Sequence, residues 1–174
     1  MKDAYLDQEP ANIIVVDWSF YTGINYASSF CAVPQVGIFV GDLIHKLITA
    51  EFARLGNIQI NGFSLGAHVG GFAGQEIQNR TDGCKIERIN GIDAAGPGFL
   101  GLPLNRRLDS SDASFVQGIH TSNYQFGYTP AYATVDFHIN YKAIPGCGAV
   151  QPGCPLAPGF PKDKIEGLEK LLPY

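Results

Sequence analysis

The stretch that most limits what this chain can fold into is "NIQINGFSLGAHVGGFAG", residues 57–74. Ile58 and Ile60 alternate as in a short strand, and Val69, Phe72, Ala73 and Ile77 then recur at helical spacing. Between the two lies Gly62-Phe63-Ser64-Leu65-Gly66, which puts Ser64 at the tip of a sharp strand-to-helix turn. Glycines two residues either side, Gly62 and Gly66, let strand and helix come close around a strained serine. The turn leaves the hydroxyl exposed at the strand's carboxyl end, where open α/β sheets place ligands. It also points the start of a helix at the same spot, so the backbone N–H of Leu65 can donate to an oxyanion. The competing reading is a packing turn with no chemistry.

The order of the other elements extends this picture. "NIIVVDW" (12–18) is a continuous apolar run, as expected of a parallel strand covered on both faces. Val36, Val40, Leu43, Leu47 and Ile48 then mark a helix, with Pro34 suited to its start and Gly56 to its end. Gly70, Gly71 and Gly74 each lower helix propensity by about 1 kcal/mol relative to alanine, so a packing demand is expected to keep them small. "KIERINGID" (85–93) reads as a strand ending in Asp93, followed by strands at 115–121 and 134–140. Strand, helix, strand, helix, strand predicts an α/β fold with a mostly parallel sheet, flanking helices and right-handed crossovers. From Tyr141 on, proline and glycine predict loop, and "KDKIEGLEKLLPY" a short amphipathic helix.

Composition excludes several classes. The 174 residues suit one domain with a proper core. A formal charge of −4 gives no footprint for nucleic acid. No apolar run approaches the roughly 20 residues that span a bilayer, and the N-terminus does not read as a secretory signal. With no CxxC and no HExxH, neither a metal nor another cofactor is expected. Four cysteines, an even number, and the sequon Asn79-Arg80-Thr81 suit an oxidising, exported setting. Cys31, Cys84, Cys147 and Cys154 allow three pairings, which spacing does not separate. Cys147 and Cys154 are near enough in sequence to pair locally. Cys31 and Cys84, each near one end of a predicted helix, either pair or stay as buried free thiols.

Taken together, "IIVVDW", "GFSLGAHVGGFAG", "RINGIDAAGPGF", "LDSSDASFVQGIHTS" and "VDFHINY" with "QPGC" resemble, in order, the landmarks of the pancreatic-type lipases of the α/β-hydrolase fold. Insect neutral lipases and wasp-venom phospholipases A1 are the members most resembled. The resemblance runs from about Met1 to Cys154, leaving 155–174 as a divergent tail. It implies a lipid-ester substrate at a lipid–water interface, an extracellular location, Ser64 as nucleophile and Asp93 as the acid that orients a histidine. Relatives usually carry proline where Ala94 follows that aspartate. They pair the cysteine matching Cys154 with one near the catalytic histidine, a partner that this chain does not contain. On residues alone, Asp93 ends the strand beside the one that delivers Ser64, although aspartate is also a default turn former.

The triad order of this fold is Ser, Asp, His. Of the four histidines, His45 precedes the serine and His68 falls in the first helical turn after it. His120 and His138 follow Asp93, but His120 belongs to the "IHTS" landmark and His138 replaces an aromatic residue. The resemblance places the catalytic histidine beyond "QPGC", where none is found, and a second oxyanion donor before "NIIVVDW". The expectation is therefore a partial lipase domain without its first strands and histidine segment: a fragment, a truncated gene product or a decayed paralogue, with impaired or no activity. A non-catalytic lipid-binding or yolk-type homologue is the alternative, against which the retained Ser64 argues. Loss of the first strands would leave a sheet edge bare.

Overall fold

The computed structural model describes residues 2–7, 10–22, 25–122 and 126–139. Its centre is a four-stranded, wholly parallel sheet in the order β1 (Gln59–Phe63), β2 (Arg88–Ile92), β3 (Phe115–His120), β4 (Val135–His138). Each strand is short; β2, β3 and β4 lie inside the stretches predicted as strand, and β1 runs one residue past its predicted stretch, to Phe63. The helices are α1 (Lys2–Leu6), α2 (Tyr26–Thr49) and α3 (Leu65–Arg80).

Strand residues alternate across the sheet, so the register shows what each face carries. Ile60, Ile89 and Gly62, Gly91, Gly118 lie on the face that packs α3 and the loops after β2 and β3. Ile77, Ile86, Ile89, Leu108 and Val116, each with 0% exposure, form its core. Full burial of such side chains is worth about 1.5–3 kcal/mol each. The glycines of α3 are small for separate reasons. A Cβ on Gly70 would press on Ile60 and Ile89, one on Gly71 on Leu108 and Asp112, and one on Gly74 on the Asp112 carbonyl.

The opposite face is largely bare among the described residues. Phe63, Ile92, Ile119 and Phe137 are register partners and make one apolar rung across all four strands. Phe63 is 59% and Phe137 48% exposed. Tyr5 of α1 touches the polar end of this face through Gln59 and Asn61.

Three expectations are corrected. Residues 10–18 form no strand, and Ile14, Val15 and Val16 stand exposed. A strand exists only through its ladder, and no described segment pairs with the outer edge of β1. Helix α2 begins at Tyr26, well before Pro34, because Asn25 caps it by accepting the Ser28 N–H at 2.9 Å. Pro34 therefore sits inside the helix, where it removes one backbone hydrogen bond. Phe30 and Val33, packed into the core on the preceding turn, offset that loss. Finally, α2 is long and apolar enough to cross a membrane by length and composition, as no segment was expected to be. It packs instead on α3: Gly37 and Gly41 lie so close that a Cβ on either would meet Phe72 or Glu76. One face of α2 is thus packed, while its Phe39 and Leu43 stand exposed.

Cys31 and Cys84 are neither paired nor buried: both are free thiols on the surface. Cys147, Cys154, the predicted tail helix and the boundary at residue 154 lie outside the described residues.

Candidate active site

Ser64 joins β1 to α3 with φ 53° and ψ −120°, a left-handed conformation that a side-chain-bearing residue rarely adopts. The surroundings hold it there. Its N–H donates to the Ile92 carbonyl at 3.0 Å, and its carbonyl accepts the N–H groups of Ala67 at 3.1 Å and Ala95 at 3.2 Å. Leu65 is the first residue of α3, so its N–H has no acceptor within the helix and faces out of the helix start. The two glycines of the turn are not equivalent. A Cβ on Gly62 would collide with the backbone of Gly66 and Ala67, whereas one on Gly66 would meet nothing within 4 Å.

Asp93 occupies the matching place on the next strand. Phe63 and Ile92 are register partners, so Ser64 and Asp93 each follow the last rung at the same rim. Neighbouring parallel strands lie about 4.8 Å apart. Asp93 is also left-handed, at φ 46°, and buried. Its Oδ1 accepts the N–H groups of Thr121 at 3.0 Å and Ser122 at 2.9 Å, and its Oδ2 accepts the Ser122 hydroxyl at 2.6 Å. A carboxylate offers about four acceptor sites, which leaves one on Oδ2 for a further donor.

The family profile described as Lipase matches residues 1–168 of this chain. The chain belongs to the pancreatic-type lipase family. Lipase member H of Rattus norvegicus is 39% identical over 156 residues, which cover 89% of this chain and 32% of that protein. Phospholipase A1 of Polybia paulista is 37% identical over 165 residues, 88% of this chain and 51% of the relative. Phospholipase A1 of Vespula maculifrons is 38% identical over 158 residues, 85% and 52% respectively. This lipase chain thus spans about a third to a half of the length of the curated relatives it matches.

His68 and His120 have both ring nitrogens engaged by groups other than Ser64. His68 is buried, with its ring stacked on Phe99 at 3.6 Å. Its Nδ1 accepts the Leu108 N–H at 3.1 Å, so Nε2 carries the hydrogen and donates to the Ala95 carbonyl at 2.9 Å. His68 thereby ties the Asp93 loop to α3, and burial pushes it down to about 4. His120, at the end of β3, is two strands from β1, about 10 Å. Its Nδ1 lies 2.8 Å from the Tyr128 carbonyl and its Nε2 2.7 Å from Asp136 Oδ1. Asp136 otherwise accepts backbone N–H groups, from Tyr132 and Ala133. The ring thus bridges the Tyr128 carbonyl and the Asp136 carboxylate inside a buried polar network. His138 stacks on His120 at 4.1 Å, one strand further out. Burial and then the His120 charge lower its pKa. His45 lies on α2.

Ser122, Asp136 and Tyr128 were not singled out from the sequence. Together with His120 they fasten the loop after β3 to the acid loop. The Tyr128 N–H donates to the Ala94 carbonyl and the Gly96 N–H to the Phe126 carbonyl, each at 2.7 Å. The only hint in the sequence was the position of Ser122 two residues after His120.

Two buried groups pull the pH dependence of stability in opposite directions. His68 stays neutral in the folded chain down to about pH 4, from an ordinary value of 6.5. Between those values the unfolded chain binds the extra proton, so stability rises with pH. Burial pushes Asp112 up to about 7 from 3.8, against hydrogen bonds from the Asp109 N–H and the Gln75 amide. In that window the folded state holds the extra proton, so stability falls as pH rises. Asp112→Asn removes the second effect. Between about pH 4 and 6.5 the variant's unfolding free energy in urea is expected to climb by about 3 kcal/mol more than the parent's.

Proposed function

We propose that Ser64, Asp93 and the Leu65 N–H are the acyl-transfer machinery of an exported lipid carboxylic-ester hydrolase. In this reading the Ser64 hydroxyl attacks the ester carbonyl, the Leu65 N–H stabilises the oxyanion, and Asp93 orients a histidine base through the open acceptor site on Oδ2. Water then releases the acyl group. The observation that carries the reading is the left-handed Ser64 at a strand–helix junction, in register with a carboxylate on the neighbouring strand. Two of the relatives are named phospholipases A1, which supports a lipid ester as substrate, whether phospholipid or triacylglycerol.

The 174-residue chain alone is inactive or nearly so, because none of its four histidines is placed to take the proton from Ser64. Triad enzymes stripped of a member retain about 10³–10⁴-fold acceleration over water from the oxyanion hole and binding. A fluorophosphonate probe is expected to label the chain no more than it labels Ser64→Ala. Added imidazole, standing in for the base, is expected to produce a single acyl adduct from a p-nitrophenyl ester, mapped to Ser64 by mass spectrometry and absent from Ser64→Ala. Strong probe labelling without imidazole would overturn the inactivity. No adduct at Ser64 with imidazole would overturn the site.

A further inference from the structure

Asn79-Arg80-Thr81 is the one Asn-x-Ser/Thr stretch in the chain. Asn79 lies in the last turn of α3, is exposed, and has no hydrogen-bond or ion-pair partner among the described residues. On a helix of 3.6 residues per turn it stands about 200° round from Ile77, which faces the sheet. Its neighbours are occupied elsewhere. Arg80 pairs with Asp42 and Glu76 on the side towards α2, and the Thr81 hydroxyl donates to the Ile77 carbonyl at 2.7 Å. The chain leaves the helix within the sequon. Thr81 has φ −128°, and Asp82 and Gly83 then turn through φ 51° and 88°.

We propose that Asn79 carries an N-linked glycan. The donor is a polyprenyl-pyrophosphate-linked oligosaccharide. The Asn79 amide nitrogen displaces the pyrophosphate from the anomeric carbon of the first sugar, forming a C–N bond as the C–O bond breaks. The amide proton goes to a base, and polyprenyl pyrophosphate leaves. The folded protein accommodates the product because the exposed Asn79 side chain has no partner to give up among the described residues. Ser64 and Asn79 also stand at opposite ends of α3, 15 residues or roughly 22 Å apart at 1.5 Å per residue. The glycan therefore stands on the rim away from the candidate site. The assignment rests on the export part of the proposed function and is independent of the chemistry at Ser64.

The test places the chain behind a cleavable export signal in insect cells and maps its peptides by mass spectrometry. Most copies of the Asn79 peptide are expected to carry a glycan that peptide N-glycosidase F removes, leaving aspartate. Asn79→Gln and Thr81→Ala are expected to abolish it, and Thr81→Ser, which keeps the hydroxyl, to retain it. Glycosylated and enzymatically trimmed protein should give the same circular dichroism spectrum. Exported, folded protein with unmodified Asn79 would overturn the proposal. So would a glycosylated form that misfolds while Asn79→Gln folds. Imidazole-dependent acylation of Ser64 reports on the catalytic reading separately, whatever the state of Asn79.

Discussion

Asp136→Ala is expected to lower the unfolding free energy by about 3–5 kcal/mol, a large share of what a domain of this size possesses. The His120 ring is 2% and the Asp136 side chain 10% exposed, so neither partner is supported by solvent. Removing the carboxylate leaves the buried Nε2 of His120 without its partner, and it strands the N–H groups of Tyr132 and Ala133. The loop that lies against Ala94–Gly96 is fastened by those same contacts, so the damage reaches the acid segment. Urea unfolding followed by circular dichroism measures the loss. Replacing both members, as in His120→Phe with Asp136→Leu, is expected to recover part of it, because no unpaired donor ring then stays buried. A single-variant loss below about 1 kcal/mol would mean that the pair is solvated in solution.

Gly62→Ala is expected to cost about 3 kcal/mol, the upper end for overpacking, because the obstructing atoms are backbone. The added methyl would lie 2.5 Å from the Gly66 carbonyl carbon and 2.6 Å from the Ala67 nitrogen, which cannot rotate aside as a side chain would. Helix α3 must back away from β1, and Ser64, bonded to Ala67 and Ala95, moves with it. Gly66→Ala is the control. With open space at that position and a helical backbone, it is expected to change stability by no more than about 1 kcal/mol. Thermal melts of the two variants measured together give the contrast. Equal losses would show that the turn is looser than the packing implies.

The Gly-x-Ser-x-Gly pattern treats those glycines alike, which shows how far a sequence can be read here. The turn, the strand before it and the helix after it were legible because their signals are local: alternation, a five-residue pattern, a 3.6-residue period. The same holds for β2, β3 and β4. What the sequence hid is what strands or loops far apart in the chain do to each other. His120 and Asp136 meet because they lie on one face of adjacent strands, 16 residues apart, and neither residue alone announces a partner. Ser122 finds Asp93 across 29 residues because the loops that follow adjacent strands meet at one rim. The misread strand at 12–18 has a related cause: an apolar run records a suitability for burial in a sheet, whereas a ladder needs a neighbour. Helix α2 was entered too late because Pro34 is a stronger textual signal than the Asn25 cap that governs the start.

The rung of Phe63, Ile92, Ile119 and Phe137, which no other described residue covers fully, bears on how any vesicle- or micelle-binding assay of the isolated polypeptide should be interpreted. A flat, greasy panel at the end of four strands will adsorb to amphiphiles, to dyes such as ANS and to other copies of itself, whether or not Ser64 ever meets an ester. Sedimentation with liposomes would then measure the panel. Comparing Phe63→Ser with Ser64→Ala, neighbours in the chain with separate jobs, distinguishes stickiness from recognition.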